Sequence, residues 1–207
     1  NSVMVRSNLV IAGSNYIFNH IQENYSHLIN NKKRLLVIFR GINTEYFDNS
    51  NITNDKVQNV YSTLNLSSEK FKILLPGRLT RWKGQEMFIE SLNLLKKKYN
   101  KENFQGIILG SHQGRTVYFK KLISLIEKYG LKRDMIFIKH IKEMPVAYYV
   151  SDIVVSSSIE PEAFGRISVE AQAMRRPILA SNHGGSKETI VNGKSGFLFD
   201  NNNPESL

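Results

Sequence analysis

The sequence contains no cysteine, which excludes a disulfide framework, a thiolate nucleophile and a cysteine-ligated zinc site. No apolar run approaches the roughly 18 residues that a membrane-spanning helix needs. The first residues, Asn1-Ser2-Val3, lack the basic and apolar regions of a signal peptide. No group of histidines and carboxylates has the spacing of a metal site, so we expect no metal. These absences favour a cytoplasmic protein, and a reducing compartment is compatible with them.

The 207 residues are 41% hydrophobic and 22% charged, a composition typical of a globular chain with one α/β domain and part of another. The formal net charge of +10 is concentrated in residues 71–150, which carry 16 basic and 6 acidic side chains. Within it, the lysines of residues 96–142 lie mostly on predicted helices, which is typical of solvated faces. Peripheral contact with an anionic membrane, or with a polyanionic substrate, is the alternative. No nucleic-acid-binding motif is present, so we expect no nucleic-acid partner.

Short apolar runs alternate with segments of helical period, which predicts βαβ units and a parallel sheet. From about residue 70 the alternation is regular and predicts a Rossmann-like, doubly wound domain over 70–207. A β-α-β segment, 1–42, precedes it, and we interpret the polar residues 43–69 as an interdomain linker. The predicted strands are 9–12, 35–39, 70–75, 106–109, 135–138, 153–155 and 178–180. The predicted helices are 14–25, 85–99, 116–129 (closed by Gly130), 146–150, 166–174 and a short one capped by Ser186.

Three loops at the carboxyl ends of predicted strands carry unusual chemistry, and ligands of open α/β sheets bind at that edge. In the first loop, residues 77–84, Arg78 and Lys83 flank a turn that opens a helix. Two cations and a helix N-terminus favour a diphosphate site. The spacing is not that of a Walker A motif. Ordinary surface cations are the alternative reading.

The second loop places Glu162 before a helix and Glu170 on its second turn, with Gly165 between them. Both carboxylates can therefore border one pocket, where they can accept hydrogen bonds from sugar hydroxyls. A glutamate that complements the helix dipole and a glycosidase-like acid/base pair are alternatives. The third loop contains His183 followed by two glycines, a pattern that indicates a close backbone approach. A lone histidine there is more often structural than catalytic.

Several segments, in this order, resemble the retaining, nucleotide-sugar-dependent glycosyltransferases of family four, which have the two-domain GT-B fold. The strongest similarity is the E-x7-E block, which begins at Glu162. The other similar segments are 73–84 (ILLPGRLTRWKG), 148–158 (YYVSDIVVSSS), 177–180 (PILA), the Gly-Gly-x-x-Glu of 184–188, and the interdomain crossover 40–47 (RGINTEYF). The resemblance implies that residues 70–207 are the donor-binding half of a GT-B enzyme. It implies that 1–42 is only the end of the acceptor-side domain.

The resemblance also implies roles for individual residues. Arg78 and Lys83, beside Gly77, would hold the donor diphosphate and stabilise the charge of the leaving group, which would make a metal unnecessary. Glu162, the third expected catalytic group, would contact the hydroxyls of the donor sugar, and Glu170 would accept the ribose hydroxyls. The remaining expected donor contacts are the backbone of Phe164, Gly165 and Arg166 near the sugar and phosphate, and His140, Ile141 and Lys142 beside the base.

Two departures from the family pattern bear on these expectations. Lys139 stands where a glycine is usual before the base loop, and Arg175-Arg176 replaces a small residue and a glycine before Pro177.

The resemblance implies transfer of a sugar from a UDP, GDP or ADP sugar, with retention and without a cofactor. The implied acceptor is a glycan or a lipid-linked sugar in envelope polysaccharide or lipopolysaccharide synthesis. Most of the acceptor-side domain and a C-terminal helix are expected to be missing, so this part alone should be weakly active or inactive. A non-catalytic nucleotide-binding module or remnant is the alternative.

Overall fold

The computed structural model describes residues 4–29 and 34–207, so the chain start on which the localisation prediction rests lies outside the described residues. Strands and helices alternate through almost all of this length. The strands are β1 (Val10–Ala12), β2 (Leu35–Val37), β3 (Phe71–Pro76), β4 (Phe104–Leu109), β5 (Met135–Ile138), β6 (Ile153–Ser156), β7 (Ile178–Ser181) and β8 (Phe197–Phe199). The helices are α1 (Asn15–Tyr25), α2 (Asn54–Leu64), α3 (Gln85–Lys97), α4 (Thr116–Lys128), α5 (Met144–Tyr149), α6 (Arg166–Ala173) and α7 (Ser186–Thr189).

In the described residues, six strands form one parallel sheet in the order β5-β4-β3-β6-β7-β8. The central strands β3 and β4 are buried along nearly their whole length, because helices cover both faces of the sheet. A parallel sheet covered in this way is built from continuous apolar runs rather than from alternating ones. The predicted Rossmann-like, doubly wound fold is confirmed.

Side chains of the sheet alternate between two hydrophobic clusters, one on each face. Leu74 and Ile107 contribute to the cluster that α2, α5 and α6 cover. Ile73, Leu75 and Ile108 contribute to the cluster beneath α3 and α4. This alternation follows from the period of two in a strand, and it makes the sheet a rigid platform for the loops at its edge.

The strand order reverses between β3 and β6. From β3 the chain runs outward through β4 to β5, and it then returns to β6 on the other side of β3. The loops that leave these two neighbouring strands therefore diverge to opposite sides and leave a crevice outside their carboxyl ends, the usual ligand position in such folds. The loops are residues 77–84 after β3 and 157–165 after β6, the two that carry the predicted cations and carboxylates.

A smaller β-α-β unit precedes the main sheet. Strands β1 and β2 pair in parallel, with Val10 opposite Leu35, and α1 packs on them through Ile17, Phe18 and neighbouring apolar residues. The division of the chain at residues 42 and 69 stays a prediction. In the described parts of the chain, no helix is long and apolar enough to cross a bilayer.

Three features differ from the sequence-based expectations. Helix α2 lies inside the predicted linker, although Val57, Val60, Tyr61 and Leu64 follow the i, i+3, i+4, i+7 spacing of a helix; all four pack in the main core. Strand β8 was not predicted, since three residues carry too little periodicity. Ser186 is not a cap: it is the first residue of α7, Gly185 holds the N-cap position, and no side-chain cap bond forms there. By contrast, Gly130 follows α4 with a φ of +67°, as predicted for the glycine after a helix.

Candidate functional site

The 77–84 loop is tied to the neighbouring loop through backbone contacts. Gly84 has a φ of +70° and packs so closely on Ser157 that an added Cβ would lie 1.8 Å from the carbonyl oxygen of Ser157. The Ser157 hydroxyl donates at 3.1 Å to the carbonyl oxygens of both Lys83 and Gly84. The N–H of Ile159 donates to the Trp82 carbonyl oxygen at 2.8 Å. Only glycine permits this approach, so the two loops of the crevice form one structure.

At the centre of the crevice, the Lys83 ammonium contacts the Glu162 carboxylate. Oε1 of Glu162 also accepts a hydrogen bond of 2.6 Å from the Ser158 hydroxyl. The Lys83 and Glu162 side chains are each 13% exposed. The ammonium lies 4.3 Å from the centroid of the Trp82 ring, within the range of a cation–π interaction. The structure therefore places a shielded pair of opposite charges beside a helix N-terminus.

The backbone of the Glu162 loop is fixed from a second direction. The N–H of Gly185, which follows β7, donates to the Glu162 carbonyl oxygen at 2.7 Å. Nε2 of His183 lies 2.8 Å from the Ser158 carbonyl oxygen. This position agrees with the structural interpretation of His183: it holds the loop that carries Ser158.

Both oxygens of Glu170 have partners. The Arg166 guanidinium lies 2.8 Å from Oε1, one helical turn away, and the Tyr148 hydroxyl donates to Oε2 at 2.8 Å. Burial, together with the nearby Glu170 charge, raises the pKa of the Tyr148 hydroxyl well above its ordinary value, so Tyr148 remains a donor. A carboxylate can accept about four hydrogen bonds, which leaves Glu170 able to bind further hydroxyls.

A cavity of about 580 Å³ opens beside these groups. Gly77, Arg166 and Glu170 line it together with the hydrophobic side chains of Phe47 and Met144. Glu162 does not line this cavity. Its carboxylate contacts Lys83 instead, and the expectation that both carboxylates border one donor pocket stays a prediction.

The remaining expected donor contacts fall into two groups. Gly165, with a φ of +88°, is the buried N-cap of α6, and Phe164 precedes it as a half-buried residue. Arg78 is exposed; its carbonyl oxygen accepts from the Gln85 amide at 2.9 Å, and among the described residues its guanidinium forms no ion pair. These positions surround the same crevice.

His140 and Ile141 lie elsewhere. They line a separate cavity of about 240 Å³ between α2 and the segment that leads into α5. Lys142 and Glu143 line the same cavity, and Glu143 pairs at 2.8 Å with Lys56 of α2. The structure thus brings Lys83 and Glu162 into contact, places Gly77, Arg166 and Glu170 around the neighbouring cavity, and leaves the expected base loop at a separate cleft.

The expected site omits two side chains that hold its carboxylates. Ser158 is the last of three serines at the carboxyl end of β6, and that position was a usable signal. Tyr148 had no such signal, because its partner Glu170 is 22 residues away along the chain.

Arg175, one of the residues that depart from the family pattern, adopts a φ of +53°. This is a left-handed conformation that favours glycine.

Residues 59–207, about three quarters of the chain, match the family model described as glycosyl transferases group 1. The chain belongs to this family. It is 28% identical over 189 residues to a D-inositol 3-phosphate glycosyltransferase from Corynebacterium urealyticum, an alignment that covers 90% of this chain and 43% of that protein.

Solved glycosyltransferases have the same architecture. A glycosyltransferase from Rickettsia africae superposes with a TM-score of 0.90 at 34% identity, over 100% of this chain and 52% of that one. The Anabaena protein Alr3699/HepE, solved in complex with UDP and glucose, superposes with a TM-score of 0.83 at 25% identity, over 97% of this chain and 51% of that one. The chain thus spans about half the length of the relatives it matches, and it corresponds to the C-terminal, Rossmann-like half of a GT-B glycosyltransferase.

Proposed function

We propose that this chain is the donor-binding part of a glycosyltransferase that transfers a sugar from a nucleoside-diphosphate sugar. The observation that carries the proposal is the contact between Lys83 and Glu162 at the reversal point of the strand order. It places a cation for a phosphate and a carboxylate for sugar hydroxyls next to each other, which is the chemistry that a sugar phosphate presents.

On the phosphate side, Lys83 and Arg78 supply positive charge and the first turn of α3 supplies N–H groups. When the bond between the sugar and the diphosphate breaks, negative charge develops on the departing phosphate. Fixed cations next to that oxygen stabilise the transition state. This arrangement supports a reaction without a metal, in which the ammonium of Lys83 exchanges its contact with Glu162 for one with the phosphate.

On the sugar side, Glu162 remains oriented by Ser158 when Lys83 turns to the phosphate. Its carboxylate then accepts hydrogen bonds from donor-sugar hydroxyls, and the backbone of Phe164 and Gly165 lies close to the sugar. Glu170 binds the ribose hydroxyls at the edge of the 580 Å³ cavity. His140 and Ile141 are proposed as base contacts with less structural support, since their cleft is separate.

The identity of the nucleotide is proposed to be UDP. The support comes from the Anabaena relative, whose structure contains UDP and glucose. The acceptor is proposed to be a glycan or lipid-linked sugar, with retention of anomeric configuration, in envelope polysaccharide or lipopolysaccharide synthesis.

Part of the basic stretch that was considered for membrane contact is already paired, with Lys96 bound to Asp134 and Lys121 to Glu86. Peripheral contact with an anionic membrane would therefore depend on the other lysines of the 96–142 stretch.

Titration of the single tryptophan tests the donor site, because Trp82 lies next to Lys83. UDP, GDP, ADP and the corresponding glucose-linked nucleotides are each added while Trp82 fluorescence is recorded. We expect saturation with UDP and UDP-glucose. Lys83→Ala should weaken both about 10- to 100-fold, since a charge-assisted bond is lost, whereas Lys132→Ala, an exposed lysine on a different face, should bind like the wild type.

Glu162→Gln separates the sugar contact from the phosphate contact. Removing a negative charge next to the diphosphate should leave UDP binding unchanged or tighter. The same change should remove the advantage of UDP-glucose over UDP. Retention of that advantage, or no saturable binding of any nucleotide by fluorescence or thermal shift, would contradict the proposed donor site. A non-catalytic module would instead bind the donor in a full-length protein that shows no turnover.

A further inference from the structure

The carboxylate of Glu188, on α7, binds the N-terminus of α1 in the preceding β-α-β unit. Oε2 accepts from the Asn15 backbone N–H at 2.8 Å and from its side-chain amide at 3.0 Å, and Oε1 accepts from the Tyr16 N–H at 2.6 Å. The donors lie 172 and 173 residues from Glu188 along the chain. Free N–H groups in the first turn of a helix carry partial positive charge, so this contact is favourable as well as specific.

The same end of α1 also contacts the Glu162 loop. Ser14, the N-cap of α1, is fully buried. Its hydroxyl accepts from the Ile17 N–H at 3.2 Å and donates to the carbonyl oxygen of Ala163, the residue after Glu162. A single helix end therefore meets both α7 and the loop of the proposed donor site.

The third contact joins α7 to the loop. The hydrogen bond from Gly185 to the Glu162 carbonyl oxygen lies at the start of α7, and Gly185 packs against the backbone of Phe164. The 160–165 loop is consequently held between α1 and α7, and Glu188 is the side chain that joins those two helices.

We infer that Glu188 is a positioning residue for the donor site: by holding α1 against α7, it keeps the 160–165 loop and the Glu162 carboxylate in the geometry that meets a nucleotide sugar. The inference rests on the proposed function. A positioning role and an electrostatic role predict opposite changes in donor affinity when Glu188 is substituted. A purely electrostatic role would make loss of this negative charge strengthen the binding of an anionic diphosphate. A positioning role weakens binding, because the loop loses its support from Ser14.

The test compares Glu188→Ala, Glu188→Gln and the control Glu127→Gln in the full 207-residue chain. Glu127 is an exposed glutamate of α4 with one long contact to a lysine, so its substitution changes the net charge equally. Glu188→Ala should weaken UDP-glucose binding about fivefold or more, since a small displacement of contact groups has a large effect on affinity. Glu188→Gln keeps one acceptor oxygen but turns an NH2 group towards the N–H donors of the other oxygen, so it should recover only part of that loss. Equal or tighter binding by Glu188→Ala would overturn the inference.

Two further readouts make the test independent of simple destabilisation. If Ser14→Ala and Glu188→Ala act through the same docked helix, the double variant should lose less affinity than the sum of the single losses. Amide exchange of Ile17 and Gly185 should accelerate in Glu188→Ala while that of β3 and β4 is unchanged. If the wild type binds no nucleotide sugar, the proposed function fails, and exchange alone then decides: faster exchange at the two amides supports the positioning role, and unchanged exchange refutes it.

Discussion

Replacing Gly185 by alanine tests how closely α7 packs on the Glu162 loop. Gly185 has a φ of −64° and a ψ of −16°, which any residue adopts, so alanine introduces no backbone strain. Its Cβ, however, would lie 2.5 Å from the Phe164 Cα and 2.7 Å from the Phe164 carbonyl carbon and oxygen. These are backbone atoms, and no side-chain rotation relieves the contact. The loop must move by about 1 Å to restore a normal carbon–carbon separation.

This displacement of the loop sets the size of two effects, a loss of stability and a loss of donor affinity. Overpacking of this kind lowers the free energy of unfolding by about 1–3 kcal/mol, which corresponds to a fall in Tm of about 3–9 °C for a chain of this length. A loop displaced by about 1 Å loses hydrogen bonds to the sugar, and each bond to a charged group contributes about 1.5–3 kcal/mol. We therefore expect Gly185→Ala to bind UDP-glucose about 10- to 100-fold more weakly than the wild type.

Thermal unfolding and calorimetric titration with UDP-glucose measure these effects. Gly41→Ala is the matched control, because a Cβ at Gly41 would meet nothing within 4 Å and its φ is not positive. We expect that variant to unfold and bind like the wild type. If Gly185→Ala had the same Tm and affinity as Gly41→Ala, the close packing of α7 on the loop would be refuted, and with it the claim that this packing positions Glu162.

Three other substitutions test the surroundings of the site. Burial acts to raise the pKa of Asp134, but its ion pairs with Lys96 and Lys70 outweigh burial and hold that pKa below its ordinary value. The stability that the Asp134 carboxylate contributes is therefore present at neutral pH and is lost as the pH falls through the lowered pKa. Urea unfolding should show Asp134→Asn about 1–2 kcal/mol less stable at pH 7, with a difference that shrinks towards pH 3; a constant difference would contradict the ion-pair explanation. Tyr148→Phe removes a buried donor from Glu170 and should cost about 1–2 kcal/mol in the same assay, whereas an unchanged midpoint would mean that the bond contributes nothing. Arg175→Gly relieves a left-handed φ of +53° and should raise stability by up to about 1 kcal/mol; a fall in Tm would show that the arginine side chain contributes more than the strain it causes.

The main domain was predictable because its strands are continuous apolar runs and its helices have clear periodicity. Strand β5 was predicted with its observed bounds, and helix α4 begins at the predicted residue and ends one residue before the predicted end. Helix α2 carries the same kind of signal, because Val57, Val60, Tyr61 and Leu64 have helical spacing and form its buried face. It was overlooked because the polar residues before it favoured a linker. Short elements such as β8 depend on their neighbours in the sheet rather than on their own pattern.

The candidate site, like the fold, was predictable from the sequence only in part. The sequence alone placed Arg78, Lys83 and Glu162 in loops at the carboxyl ends of strands and Glu170 on the helix that follows, because these positions are local features of the chain. The partners of the carboxylates were local only in part: Ser158 and Arg166 each lie 4 residues before the carboxylate they bind, whereas Lys83 and Tyr148 lie 79 and 22 residues away.

The sequence by itself determined the order of most strands and helices, α2 and β8 excepted, and the chemical groups carried by each loop, since propensity and periodicity act over a few neighbouring residues. Only the tertiary structure decided that the chain crosses back from β5 to β6 and so opens a crevice beside β3. It likewise decided that Lys83 meets Glu162 and that Glu188 holds the N-terminus of α1. Those contacts join residues that are distant along the chain. The first arises because β3 pairs with β6, and the second because the β-α-β unit packs against α7; no local pattern encodes either.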